Sequence, residues 1–211
     1  INLAQGKNLA GAFHQPVAVL IDPDTLDTLP PRELRAGYAE LAKYGAIGDP
    51  ALWQWCEANG SALLARDAAA LHHGIAAAVR AKAAAVAADE RDTGGARALL
   101  NFGHTFGHAL EAETGFGATL LHGEAVAIGM VLAMRLSAAL GLCPAADVAR
   151  VEAHLAAIGL PTGVPGGIDA ERLLARMRHD KKAEGGRLRL ILSRGIGRAF
   201  LADNVDPRAV R

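Results

Sequence analysis

From Asp67 to Asp89 the chain is built mainly of alanine and contains no proline. Alanine is the strongest helix former, so this stretch predicts one long helix and commits the surrounding chain to packing against it. The punctuation on either side repeats the pattern. Pro30-Pro31 predicts a helix opening there and running to about Tyr44, because proline suits the first helical turn. Asp49-Pro50 predicts a second, to about Ala58. Asp92-Thr93-Gly94-Gly95 breaks the long helix. Further helices are predicted near 97–113, 123–140, 145–158 and 169–179, with Gly141 and Gly159 as stop signals. The fold class expected is mostly α.

Strand signals are few. Pro16-Val17-Ala18-Val19-Leu20-Ile21-Asp22 is a short, β-branched, apolar run that predicts a buried strand. A lone strand needs sheet partners, and its partners are expected to precede Ile1. A hairpin is predicted at Arg187–Leu192 and Arg198–Leu201, around Gly195-Ile196-Gly197.

The chain has a formal net charge of zero, which argues against broad attraction to nucleic acid or anionic membrane. No apolar run reaches the roughly 18–20 residues that span a bilayer, and no membrane partner is expected. Cys56 and Cys143 lie far apart and outside any CxxC pattern, which predicts buried free thiols and a cytoplasmic setting. The chain opens at Ile1 and its first methionine is Met130, so further sequence is expected upstream.

The chemistry concentrates in a few stretches. Asn101-Phe102-Gly103-His104-Thr105-Phe106-Gly107-His108 places two imidazoles four apart, on one helical face. His122 stands at the mouth of the next helix, in Leu121-His122-Gly123-Glu124. Glu40 and Lys43 lie one turn apart in the first helix. A carboxylate with two neutral imidazoles is a common open site for a divalent metal acting as a Lewis acid. Lys82, Arg97 and the pair Lys181 and Lys182 can supply charge-assisted hydrogen bonds to phosphate and carboxylate groups. His14, His72, His73, His154 and His179 have no comparable setting and read as structural or surface residues. The chain carries no GxGxxG, no GKS or GKT and no GxSxG, so the usual nucleotide loops and a serine-hydrolase elbow find no support.

Six segments, in order, carry a family resemblance: GKNLAGAFHQP from Gly6, TLDTLPPRE from Thr25, GYAELAKYG from Gly37, LNFGHTFGHALE from Leu100, LHGEAVAIGM from Leu121 and DKKAEGGRLRLIL from Asp180. The sequence resembles the 3-dehydroquinate synthases, within the sugar-phosphate cyclases. The resemblance implies a two-domain fold, with 30–211 as an α-helical metal- and substrate-binding domain and 1–29 as a strand-bearing remnant of a Rossmann-like nucleotide domain. It implies conversion of 3-deoxy-arabino-heptulosonate 7-phosphate to 3-dehydroquinate and phosphate, with NAD used catalytically, zinc or cobalt as the metal, and a homodimer.

By motif, the resemblance makes Glu40, His104 and His122 the metal ligands and His108 a proton relay. It makes Lys43, Lys82, Arg97, Asn101 and Lys181 catalytic contacts, and Asn8 and Lys182 substrate contacts. Lys7, Thr25, Leu26, Asp27 and Thr28 become nucleotide contacts. The segment Asp89–Arg97 is one residue longer than the family pattern and leaves Asp92 unassigned. With much of the nucleotide half absent, the 211 residues alone are expected to be inactive. Other cyclases of the family, a metal-dependent polyol dehydrogenase, and a non-catalytic metal-binding fragment are the competing readings.

Overall fold

The structure, a computed structural model, describes residues 10–12, 14–91, 95–180 and 188–210. Lys7, Asn8, Asp92, Lys181 and Lys182 lie outside the described residues. Seven helices are described: α1 (Pro31–Gly48), α2 (Pro50–Leu64), α3 (Ala68–Ala88), α4 (His104–Glu113), α5 (His122–Ala139), α6 (Ala145–Ala157) and α7 (Ala170–Asp180). An antiparallel hairpin follows, β1 (Leu188–Ser193) with β2 (Ala199–Val205), pairing Leu190 with Ala202 and Leu192 with Phe200.

The helix starts follow local chemistry. Pro31 and Pro50 open α1 and α2, where a missing N–H costs nothing. Asp49 caps α2 by accepting from the Leu52 amide at 2.9 Å, and Asp67 caps α3 by accepting from the Ala70 amide at 2.9 Å. Each such cap stabilises its helix by about 1 kcal/mol.

Helix α5 is the centre of the molecule. Its residues from Gly123 to Val131 are all buried, so it presents no solvent face over that length, as a helix surrounded by others must. Helices α1, α4 and α6 and strand β1 pack around it. Trp53, Phe102, Leu110, Met130 and Leu192 are fully buried in the common core. Ser137 ties the hairpin to α5: its Oγ accepts from the Ser193 amide at 3.0 Å and donates to the Ala133 carbonyl at 2.7 Å.

Two expectations are corrected. Residues 16–22 form no strand; they run as irregular chain with Val17, Val19, Leu20 and Ile21 exposed. An apolar run alone cannot make a strand, because the backbone hydrogen bonds need a neighbouring strand, and none is described beside it. The single helix expected over 97–113 is two pieces, a 3-10 turn over Ala96–Asn101 and α4. Gly103 separates them with φ of 79°, a left-handed conformation that breaks the helical path and suits glycine.

Among the described residues no helix is long and apolar enough to cross a membrane. Cys56 and Cys143 are free and buried. His154 is structural: Tyr38 Oη lies 2.9 Å from its Nε2 and the Trp53 ring meets it edge-on. His73 stacks on Trp55.

Candidate metal centre

Three elements far apart in sequence converge on one spot. Glu40 comes from the middle of α1, His104 is the first residue of α4, and His122 is the first residue of α5. Both histidines therefore sit at helix N-termini whose positions are set by the contact of α4 with α5.

Glu40 faces two ways. Its Oε2 accepts from Lys43 Nζ at 2.5 Å, one turn along α1. Its Oε1 is buried and has no hydrogen-bond partner. That orphan oxygen lies 3.4 Å from His104 Nε2 and 3.5 Å from His122 Nε2. The ligand atoms of the three side chains all lie within 4.8 Å of one another. Metal bonds of about 2.0–2.1 Å, set tetrahedrally, place ligand atoms about 3.3–3.4 Å apart. A buried oxygen that makes no hydrogen bond, faced by two imidazole nitrogens at that spacing, fits a divalent ion.

The charge states suit the same purpose. Burial pushes the Glu40 carboxyl up, but its polar contact with His122 and the Lys43 ammonium outweigh this and hold it at about 2. Burial, then the Lys43 charge, lowers His104 to about 4, so it is a neutral imidazole at pH 7. Burial also lowers the Lys43 ammonium below its usual value. The hydrogen bond to Glu111, then the close approach of the Glu40 carboxylate, raises His122 to about 9. In the metal-free protein His122 is thus an imidazolium between two carboxylates. Its stabilising contribution is full below pH 6.5 and is lost as pH rises through about 9.

A cation bound at His122 Nε2 must displace the proton there. Metal uptake near pH 7 is therefore expected to release one proton, and apparent affinity to climb with pH and level off above about 9. Glu40 and His104 add nothing over that range, being already deprotonated. Calorimetric titrations in buffers of different ionisation enthalpy measure the proton count. A pH-independent affinity between 7 and 9 contradicts the expectation.

The remaining expected residues surround this centre unevenly. The His108 ring lies 5.5 Å from that of His104 and 6.0 Å from that of His122, nearly parallel to the latter. Lys82, on α3, is exposed and near enough to Lys43 to depress its ammonium. Arg97 and Asn101 are half-buried on the 3-10 turn leading into Gly103, with Arg97 Nη1 donating to the Glu90 carbonyl at 2.9 Å. Thr25 and Leu26 lie in a short 3-10 turn over Pro23–Leu26, followed by Asp27 and Thr28. Arg66 braces that loop by donating to the Leu26 and Leu29 carbonyls. Beside it an apolar cavity of about 350 Å³ runs between Leu26, Leu29, Tyr44, Ile75 and Val79 and reaches Glu40.

Two features bordering the centre were not expected from sequence. Buried Glu111, near the end of α4, lies 3.1 Å from His122 Nδ1 through its Oε2. Arg32, at the start of α1, grips Glu124 of α5 with two bonds of 2.6 Å and also donates to the Ala118 and Thr119 carbonyls. Glu111 stands three residues after His108 and seven after His104, a spacing that keeps all three on one helical face. That spacing was a usable signal. The pairing of Arg32 with Glu124, 92 residues apart, gave none.

Comparison with known proteins places these features in context. Residues 37–183 match the family description "3-dehydroquinate synthase C-terminal", and residues 1–36 match "3-dehydroquinate synthase N-terminal". The 3-dehydroquinate synthase of Rhodospirillum rubrum is 61% identical over 216 residues, covering 100% of this chain and 56% of the relative. That of a Bradyrhizobium strain is 58% identical over 219 residues, covering 100% and 57%. The chain thus spans little more than half the length of the curated relatives it matches.

Among solved structures, the 2-epi-5-epi-valiolone synthase of Streptomyces hygroscopicus subsp. jinggangensis, with NAD+ and Zn2+ bound, superposes with a TM-score of 0.87. It is 30% identical, over 100% of this chain and 58% of that one. A 2-deoxy-scyllo-inosose synthase complexed with carbaglucose-6-phosphate, NAD+ and Co2+ gives 0.80 at 26% identity, over 100% and 58%.

Proposed function

The chain belongs to the 3-dehydroquinate synthase family, and from that premise we propose that it carries the metal- and substrate-binding part of a 3-dehydroquinate synthase. The reaction is conversion of 3-deoxy-arabino-heptulosonate 7-phosphate to 3-dehydroquinate and phosphate. The observation that carries the reading is the orphan Oε1 of Glu40 facing the Nε2 atoms of His104 and His122. Residues 30–211 form the metal- and substrate-binding domain in this reading, and residues 1–29 belong with the nucleotide-binding domain.

Glu40, His104 and His122 would hold zinc or cobalt, and when bound the metal supplies Lewis-acid polarisation of a substrate hydroxyl while NAD supplies reversible hydride acceptance. Around that point this chain's own residues have distinct tasks. His108, its ring beside both ligand histidines, takes and returns the proton of the hydroxyl undergoing oxidation. Lys43, buried and lowered in pKa, keeps Glu40 ionised and offers its remaining N–H donors to substrate oxygens. Lys82, Arg97 and Asn101, with Asn8, Lys181 and Lys182, hold the phosphate, carboxylate and hydroxyl groups and so orient the ring for elimination. Lys7 and the Thr25, Leu26, Asp27 and Thr28 loop contact the nucleotide, with the apolar cavity lying beside that loop. A homodimer in the cytoplasm completes the reading.

The identity pattern favours this substrate over those of other cyclases. The chain is 55–61% identical to curated 3-dehydroquinate synthases, against 30% and 26% for the valiolone and inosose synthases.

The test is a chimera in which this chain replaces the matching segment of the Rhodospirillum rubrum relative. With zinc, NAD and the heptulosonate phosphate, it is expected to release phosphate. A folded, metal-loaded chimera that releases none contradicts the proposal. In the same chimera Arg97→Ala is expected to raise KM by roughly 10- to 100-fold, as losing a charge-assisted hydrogen bond does, with metal content unchanged. An unchanged KM removes Arg97 from the substrate contacts.

A further inference from the structure

Helix α4 carries His104, His108 and Glu111 on one face, and that face meets the first turn of α5, where His122 projects. His122 is the least enclosed of the three ligands proposed above; its side chain is 42% exposed. Something other than packing has to fix its ring. The described polar contacts of the ring are two, one at each nitrogen: Nδ1 with Glu111 Oε2 at 3.1 Å, and Nε2 with Glu40 Oε1 at 3.5 Å.

The side chains around His122 also offer a competing arrangement. His108, Glu111 and His122 form a second group whose ligand atoms lie within 4.8 Å of one another. A neutral imidazole has one lone pair to give. If Nδ1 keeps its proton, Nε2 is the ligand and the ion sits with Glu40 and His104. If Nε2 keeps it, Nδ1 is free and the ion is drawn to the second group. The carboxylate of Glu111 accepts the Nδ1 proton and so decides between them. Glu111 is buried, where a hydrogen bond to a carboxylate is worth more than at the surface.

We propose that Glu111 is a positioning residue that holds His122 in the Nδ1–H tautomer and aims its Nε2 at Glu40 and His104, without itself binding the metal. The inference rests on the metal centre proposed above and deepens it. Outer carboxylates of this kind fix ring orientation and raise ligand basicity, and their loss typically costs roughly 10- to 100-fold in metal affinity.

Two variants of the full 211-residue chain separate positioning from ligation and from packing. Glu111→Leu keeps bulk and loses the acceptor; Glu111→Gln keeps an acceptor oxygen and loses the charge. In Co2+ titrations read by visible absorption, the leucine variant is expected to bind roughly 10- to 100-fold more weakly, with an altered spectrum. The glutamine variant is expected to stay close to the parent in both. A leucine variant with parental affinity and spectrum overturns the proposal. So does a glutamine variant that loses Co2+ as completely as Glu40→Gln, because Glu111 is then a ligand.

A parent chain that binds no Co2+ overturns the metal centre and this inference together, whereas a binding parent isolates the failure to Glu111. A measurement without substitution runs alongside. Long-range 1H–15N correlation of the Zn2+-loaded parent is expected to show His122 protonated at Nδ1 and bound at Nε2, and binding at Nδ1 overturns the assignment.

Discussion

Replacing His104 with alanine is expected to abolish metal retention through dialysis while leaving the chain folded. Two of three protein ligands remain, too few for the three-ligand set of an open divalent-metal site. The loss is therefore expected to exceed the roughly 10- to 100-fold that removing an outer carboxylate costs. His104 is the most committed ligand. Its side chain is 13% exposed and its pKa is lowered to about 4, so it enters the folded state as a neutral base.

That commitment has a second consequence. A group whose folded pKa lies below its unfolded value contributes stability above about pH 6.5, lost as pH falls toward about 4. The metal-free parent is expected to lose part of its stability across that window through this group, and the alanine variant is expected to lack that component. Metal analysis after dialysis and thermal melts between pH 4 and 7 check both. Full metal content in His104→Ala removes the residue from the ligand set.

Much of this was legible in the sequence, and the parts that were not share a cause. Proline at Pro31 and Pro50 and the caps Asp49 and Asp67 mark their helices because they act on residues within one turn. The hairpin at Leu188–Ser193 and Ala199–Val205 was legible because its turn glycines lie between its own strands. The run 16–22 misled for the opposite reason: apolar, β-branched character says what a strand would bury, not whether a neighbour exists to pair with. The helix expected over 97–113 was split because the demand on Gly103 comes from α5. A Cβ there would lie 2.8 Å from the Met130 amide nitrogen.

The candidate centre divides the same way. The spacing of His104 and His108 gave one shared face, which α4 keeps; His104 groups with Glu40 and His122, and His108 falls in a second group beside them. Periodicity places two side chains on a face; it does not say which of them meets a third from another helix. Glu40 and His122 entered the ligand set through the family resemblance as much as through their own surroundings. Glu111 was within the quoted motif and one turn from His108, but its significance depends on α5 arriving beside α4.

The close approach of α1 to α5 makes the largest structural prediction. Gly123, next to His122, lies so near α1 that a Cβ there would fall 1.9 Å from the Ala36 carbonyl oxygen and 2.4 Å from its carbon. Those are backbone atoms and cannot rotate away. Gly123→Ala therefore has to push α1 and α5 apart, at a cost of about 2–3 kcal/mol for overpacking. In a chain of this size that lowers Tm by about 5–10 °C. The displacement acts on the candidate centre directly, because Glu40 rides on α1 one turn beyond Ala36 while His122 rides on α5. The contacts of 3.4 and 3.5 Å at Glu40 Oε1 leave little room for an added separation of even 1 Å.

The variant is therefore expected to lose affinity for Zn2+ or Co2+ by roughly tenfold or more, and with it most of the Tm gain that a saturating metal confers on the parent. Gly37→Ala is the matched control. It sits on the facing helix α1, next to Ala36, with nothing within 4 Å of its would-be Cβ, and it is expected to stabilise the chain by about 0.5–1 kcal/mol. Thermal melts with and without metal read both effects at once. If Gly123→Ala melts like the parent and still gains the full metal increment, the spacing of α1 and α5 does not set the centre, and the account of how three distant segments are brought to one ion fails.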